Sequence, residues 1–354
     1  MHLLGLRIAG LMPFRDIVLP FVDDGGEPRM LTVLYGASGV GKTTVIHAIG
    51  STRPGYAVAQ PKSAAGHPRG SDELPWANAD WRLGDDDPER PHALRIASPG
   101  AAVLAEPESE LLRRREQALF DKLAKDRGFV FLAFASTRWF SRQPLMLTSP
   151  ARGLARYDVR APHSLDDATR SDLSRETKQA LAYAEIGAAL QRTSSGARVA
   201  TPKLEILGAA MRTAVNTLVS LTGHVYHGLD PLSFEPLFSS PTGQRLAFDA
   251  LPNQARHLVA FAALPTRALW AAYPGCDPRV SEGVVCIDDV DLHQDRSTQG
   301  RLLPALRAAL PGVQWILTTS SSEVAGSADT RDVLALRWDD DEVALYAGVE
   351  ARVH

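Results

Sequence analysis

The sequence predicts an α/β fold on a mixed sheet with a parallel centre. Three observations support this. The apolar run MLTVLY (30–35) leads straight into the glycine-rich stretch GASGVGKT (36–43), and a helix opens inside that stretch. Strands and helices alternate through the last third of the chain. A second apolar run, GVVCI (283–287), ends in two acids, Asp288 and Asp289.

The elements follow in order. LLGLRIAG (3–10) and FRDIVLPF (14–21) read as two strands joined by a turn. MLTVLY is a buried strand and VIHAIG (45–50) continues the helix begun at the glycine loop. Residues 51–100 are rich in Pro, Gly and Asp; within them WANADWRL and PHALRIASP pair as a hairpin. Residues 105–127 form a helix that starts acidic and ends basic before Gly128, the order a helix dipole favours. FVFLAFAS (129–136) is another buried strand. Helices follow at about 165–193 and 203–222, separated by RTSSGARVATP. HVYHGLDPLSFEPLF and GQRLAFD supply short strands, and 251–273 is helical beyond its Leu-Pro start. GVVCIDDVD is a strand ending in acids, GRLLPALRAAL a helix, VQWILTTS a strand, and VLALRW with EVALYAG a closing hairpin.

Composition narrows the class. The chain has 354 residues, 45% hydrophobic and 22% charged, as a globular protein with a substantial core does. A formal net charge of −3 supplies no global field for nucleic acid or membrane. The two cysteines, Cys276 and Cys286, make no disulfide framework and point to a reducing, cytoplasmic setting. The apolar N-terminus is interrupted by Arg7 and reads as a strand rather than a leader, and no run reaches the roughly 20 apolar residues of a membrane helix, so no membrane insertion is expected.

Gly36, Ala37, Ser38, Gly39, Val40, Gly41, Lys42 and Thr43 fit the P-loop pattern, which a chain of this length matches by chance about one time in a hundred. Glycines let backbone N–H groups converge on phosphate, and the helix N-terminus adds partial positive charge. Lys42 reaches the β- and γ-phosphates, and the Thr43 hydroxyl can ligate Mg²⁺; Thr44 follows in the same loop. A second acid should end a neighbouring strand to hold the metal, and Asp288 fills that place. Asp289 is then placed to polarise the attacking water. ATP and Mg²⁺ are the expected cofactors.

The stretch GVVCIDDVDLHQDRSTQGRLLPALRAALPGVQWILTTSSSEV resembles the C-terminal half of non-transporter ABC-type ATPases, the soluble heads related to RecF, the structural-maintenance-of-chromosomes proteins and the overcoming-lysogenization-defect nucleases. LRIAGLMPFRDIVLPF is similar to that family's opening, with Phe14 and Arg15 on its Phe-Arg pair. The resemblance covers residues 3–50 and 245–335. It implies an ABC-type head with N-terminal antiparallel strands and a helical lobe, divided as 1–140, 141–224 and 225–354. It further implies that Arg15 contacts nucleotide, that Gln143 is the loop glutamine after the FLAFAS strand, and that Asp295 is the aspartate six residues past the catalytic acid.

Three family positions differ. The catalytic glutamate is Asp289, whose shorter side chain falls back by roughly 1.5 Å where such distances decide proton transfer. The signature segment falls on Leu251-Pro252-Asn253-Gln254, without the family's serine and glycines. The switch histidine falls on Ser320. Nucleotide-binding positions are intact, so the sequence points to slow hydrolysis with ATP as a conformational or assembly switch; Asp289, Lys42 and Ser320 are the catalytic candidates. The alternative is a regulatory or scaffold module that binds ATP without hydrolysing it. A P-loop kinase is disfavoured by the roughly 245 residues between Thr43 and the second acid.

Partners are expected to be other proteins or a second copy brought in by nucleotide. Residues 111–160 hold eleven Lys/Arg and four acids, a local charge of +7, with Trp139, Phe140 and Tyr157 among them. Nucleic acid could bind there; a solvated helix face with arginines serving the nucleotide site is the favoured reading. The His/Asp groups at 224–227 and 288–293 lack zinc spacing.

Overall fold

A computed structural model describes residues 1–52, 76–83, 93–97, 107–145, 172–193 and 204–351. Its centre is a six-stranded sheet. In chain order the strands are β1 (His2–Ala9), β2 (Asp16–Pro20), β3 (Leu31–Tyr35), β4 (Trp76–Arg82), β5 (Leu94–Ala97), β6 (Phe131–Phe134), β7 (Val225–Leu229), β8 (Pro236–Ser239), β9 (Arg245–Ala247), β10 (Gly283–Ile287), β11 (Val313–Thr319), β12 (Val333–Asp339) and β13 (Glu342–Ala347). The helices are α1 (Lys42–Ser51), α2 (Pro107–Arg127), α3 (Ser174–Thr193), α4 (Leu204–Val219), α5 (Asn253–Ala272), α6 (Arg296–Ala309) and α7 (Ser322–Gly326).

The central order is β13-β12-β3-β11-β10-β6. All neighbours are parallel except the β12–β13 hairpin. Every residue of β10 and β11 is buried, because both faces of the sheet are covered. That explains why these strands read as continuous apolar runs rather than alternating ones. Their side chains still alternate. Leu34, Cys286 and Ile316 enter the core shared with α1 and β1, whereas Val33, Ile287 and Leu317 enter the core shared with α4, α5 and α6.

The first face carries α1, α2 and a four-stranded antiparallel sheet, β2-β1-β4-β5. The pairing of β4 with β5 realises the predicted hairpin, whose turn lies outside the described residues. The sequence did not indicate that this hairpin extends the N-terminal sheet, with β1 between β2 and β4. The second face carries α3–α6, with β7-β8-β9 beside them. The described part of the segment expected to be helical from about 165 starts at Ser174, and 165–171 lies outside the described residues. The closing strands join the central sheet, with β12 running parallel to β3.

One buried amide ties the two sheets together. The Gln314 side chain on β11 is fully buried. Its Oε1 accepts from the Leu3 backbone N–H at 2.8 Å, and its Nε2 donates to the carbonyls of Leu3 at 2.9 Å and Arg29 at 3.0 Å. It therefore bonds β1 and the segment that leads into β3 at once. A buried donor or acceptor left unpaired costs about 1–3 kcal/mol. Gln314→Ala is expected to destabilise the protein by about 3 kcal/mol, read as a lower urea midpoint at unchanged m-value.

Candidate functional site

The glycine loop turns between β3 and α1 in space that admits no side chain at two points. A Cβ on Gly36 would lie 2.4 Å from the Leu336 carbonyl oxygen of β12. Gly41 has φ 88° and precedes α1, and a Cβ there would stand 2.6 Å from the Phe14 ring. The loop, with Lys42, Thr43 and Thr44, opens onto a cleft of about 410 Å³ that Asp289 also lines. Ser38, Gly39 and Gly41 face this cleft, whereas Val40 turns into the core. Lys42 Nζ donates to the carbonyls of Gly36 and Ala37, both at 2.8 Å, so the ammonium is folded onto its own loop. Burial lowers its pKa, and the carboxylates of Asp289, Asp288 and Asp291 oppose that shift.

Asp288, at the end of β10, is 2% exposed, and its carboxylate is held from both sides. Thr43 Oγ1 donates to Oδ2 at 2.8 Å, and Thr318 Oγ1 donates to Oδ1 at 2.6 Å. The same Thr318 hydroxyl accepts from the Asp289 N–H at 2.7 Å. Asp289 turns the chain with φ 44°, a left-handed value that Asp tolerates better than most residues. Burial, and then the neighbouring Asp288 charge, push its pKa up. Asp291 accepts from Thr319 Oγ1.

Arg138 holds this turn. It lies just past β6, is 3% exposed, and donates to the backbone carbonyls of Ala135, Asp288 and Asp289. Its guanidinium sits 5.2 Å from the Phe261 ring centroid. Burial lowers its pKa to about 10, against the pull of Asp288, Asp289 and Asp291, so it stays charged at neutral pH. Three carboxylates thus face two cations, Lys42 and Arg138, an imbalance that suits a divalent cation. The donor set fits Mg²⁺, which usually takes one or two protein ligands and completes its shell with phosphate and water. Asp288 and the Thr43 hydroxyl are the residues that would hold it. Among the described residues, no group of three or more His, Cys, Asp or Glu could hold a metal ion.

The other predicted positions do not line the cleft. The run after β11 divides its labour. The Thr319 carbonyl accepts from the Gly36 N–H at 3.3 Å. Ser320 follows it and is exposed. Ser321 caps α7 and donates to Gln299 Oε1 at 2.7 Å. Arg15 is exposed on the β1–β2 turn and does not line the cleft. Gln143 is exposed, its carbonyl bound by Lys178 Nζ at 2.6 Å. At the signature position, Pro252 precedes α5 and Gln254 Nε2 donates to Asp295 Oδ2 at 3.0 Å and to Thr298 Oγ1 at 2.8 Å. Asp295 caps α6 through the Thr298 N–H, the chief reason its pKa falls to about 2. Of the basic stretch, 146–160 lies outside the described residues, and Arg138 serves the acid turn.

Sequence reasoning missed the roles of Arg138 and Thr318. Thr318 carried a signal, as a hydroxyl at the buried end of the WIL run of β11; Arg138 was one arginine among many.

The raised pKa of Asp289 has a sign. A carboxyl whose folded pKa exceeds its unfolded value binds its proton more tightly when folded. Its ionisation therefore costs stability as pH rises from the ordinary value of 3.8 through the raised one. Asp289→Asn is expected to raise Tm at pH 7, with the gain shrinking as pH falls toward 3.8. Thermal melts across that range check it.

No family model matches the chain. A 143-residue stretch is 25% identical to the Retron Ec83 probable ATPase of Escherichia coli, covering 36% of this chain and 26% of that protein, so the match spans about a quarter of the relative's length. Among solved structures, the chain aligns over 99% of its length with 99% of an SMC head bound to the C-winged helix domain of ScpA, at TM-score 0.56 and 15% identity. It aligns over 98% with 96% of an SMC head with an extended coiled coil, bound to the C-terminal domain of ScpA derived from Pyrococcus furiosus, at TM-score 0.51 and 13% identity. At such identities the likeness is one of fold. The chain therefore has the fold of an ABC-type P-loop ATPase head, of the kind carried by structural-maintenance-of-chromosomes proteins.

Proposed function

We propose that the protein binds Mg-ATP in the cleft and hydrolyses it slowly, with bound ATP acting as a conformational or assembly switch. The observation that carries this reading is the hydrogen-bonded chain Thr43–Asp288–Thr318, which joins the P-loop to the second acid. The relative named a probable ATPase supports the same reading.

The residues divide the work as follows. Loop N–H groups and the α1 N-terminus receive the phosphates. Lys42 exchanges its bonds to the Gly36 and Ala37 carbonyls for phosphate oxygens. Asp288 and the Thr43 hydroxyl would hold magnesium, which would offset phosphate charge. Asp289 lines the cleft, and its raised pKa brings it nearer to working pH, which suits a base that orients and deprotonates water. Its short side chain makes it a weak one. Ser320 replaces a histidine near the loop with a hydroxyl that can only donate or accept at short range.

The two SMC heads are each bound to a domain of ScpA. A protein partner, or a second copy recruited by ATP, is the matching expectation here, and DNA maintenance or phage defence in the cytoplasm is the setting the resemblance suggests. Contact with nucleic acid through 111–160 is not part of this proposal. No described helix is long and apolar enough to cross a membrane. On this reading 1–140 and 225–354 build the ATPase head and 141–224 the helical lobe.

Steady-state phosphate release with Mg-ATP tests the reading. Turnover is expected below about one per second, at the floor of the usual range for enzymes. Lys42→Ala is expected to abolish it, and Asp289→Glu to raise it by about tenfold. Turnover of tens per second that Lys42→Ala abolishes would rule out the slow switch. Binding without any release would select the non-hydrolysing alternative. Ser320→His, if it raises the rate, marks the lost histidine as limiting. Light scattering with and without ATP reports the assembly step.

A further inference from the structure

We propose that Trp338, with Met12 and Pro13, forms the wall on which the nucleobase of the bound nucleotide stacks. The inference rests on reading the cleft as a nucleotide site. The lining of that cleft divides by chemistry. Ser38, Gly39, Gly41, Lys42, Thr43 and Asp289 are polar or backbone-rich and suit phosphate; Met12, Pro13 and Trp338 offer only apolar surface and one indole N–H.

Trp338 reaches the cleft because of how the closing strands are laid down. β12 pairs with β3 in parallel register up to Ala335 opposite Tyr35 and then continues beside the glycine loop. The Leu336 carbonyl lies where a Cβ on Gly36 would collide. Side chains alternate along the strand. Leu334 and Leu336 enter the core that contains Phe14, Val40 and Val45, so Trp338 shares the face of the P-loop helix. Its neighbour Arg337 lies over the Tyr346 ring at 5.1 Å. On the β13 side, Val343 opposite Trp338 is buried and fixes the strand beneath it. Met12 comes from the β1–β2 turn, and its carbonyl accepts from Thr44 Oγ1 of α1 at 3.3 Å.

Exposure points to an occupant. Trp81 and Trp315 are fully buried, whereas Trp338 is 51% exposed and Met12 is 45% exposed, and both border the same cleft. Large apolar groups left in water beside a polar loop mark a binding surface. Their continuity with the phosphate end selects the base of the same nucleotide over a separate ligand. Aromatic stacking on a base holds it by its face and tolerates any base, and a thioether adapts to the ring edge. The wall thus favours a nucleotide over bare polyphosphate.

Calorimetric titration of the full chain with Mg-ATP and with magnesium tripolyphosphate tests this, because tripolyphosphate has the phosphates and no base. Trp338→Ala is expected to raise the Kd for ATP about tenfold and leave that for tripolyphosphate unchanged. Trp338→Phe is expected to stay within about threefold of wild type, and Met12→Ser to give a smaller loss of the same kind. Equal loss of both ligands in Trp338→Ala, or ATP binding unaffected by it, overturns the stacking wall alone. Failure of the wild type to bind either ligand overturns the nucleotide reading and the wall with it.

Discussion

The Asp288 carboxylate is the joint on which the rest of the site depends. One oxygen takes the Thr43 hydroxyl at the head of α1, and the other takes the Thr318 hydroxyl at the end of β11. A carboxylate with 2% exposure is costly unless both oxygens are bonded. Here the bonds come from the helix that follows β3 and from β11, the strand beside β10 in the parallel part of the sheet. Strand order therefore becomes site geometry: β3 delivers the loop, β10 the acid, and β11, lying between them, the threonine that orients it.

Around this joint the charges are arranged for a ligand rather than for the resting protein. Lys42 folds onto the carbonyls of Gly36 and Ala37, and Arg138 braces the turn through the carbonyls of Ala135, Asp288 and Asp289. The turn keeps Asp289 half-buried in a left-handed conformation beside another carboxylate. Functional sites commonly hold such local costs, which the surrounding packing supports. The Gln254–Asp295 bond links the start of α5 to the start of α6, so the segment at the signature position is tied to the one that follows the acid turn.

Much of this was legible from sequence because local chemistry and topology agree. The P-loop needs glycine where Leu336 and Phe14 approach, and Gly36 and Gly41 stand there. VVCI is apolar because both faces of β10 are buried, and the acid that follows is held by the hydroxyls of Thr43 and Thr318. The serine run after β11 was less legible. Thr318 and Thr319 bind acids and Ser321 caps a helix, tasks set by neighbours distant in the chain. Trp338 carried no signal, since one tryptophan before an acidic turn fits an ordinary hairpin equally well. Long-range register decided its place, and no local pattern encodes that. The same holds for β4, which joins β1 across a sequence distance that periodicity does not span.

The seat of β12 against the glycine loop has a consequence for biosynthesis. The loop leaves the ribosome near residue 36, yet the carbonyl that packs on it belongs to Leu336, and Asp288 lies 245 residues beyond Thr43. Contacts this far apart in the chain form late, and domains generally fold as they emerge, N-terminal part first. The nascent N-terminal half thus carries a phosphate loop with neither its acid nor its neighbouring strand. A chain that stops before β10 therefore lacks both the acid bonded to Thr43 and the strand that seats the glycine loop.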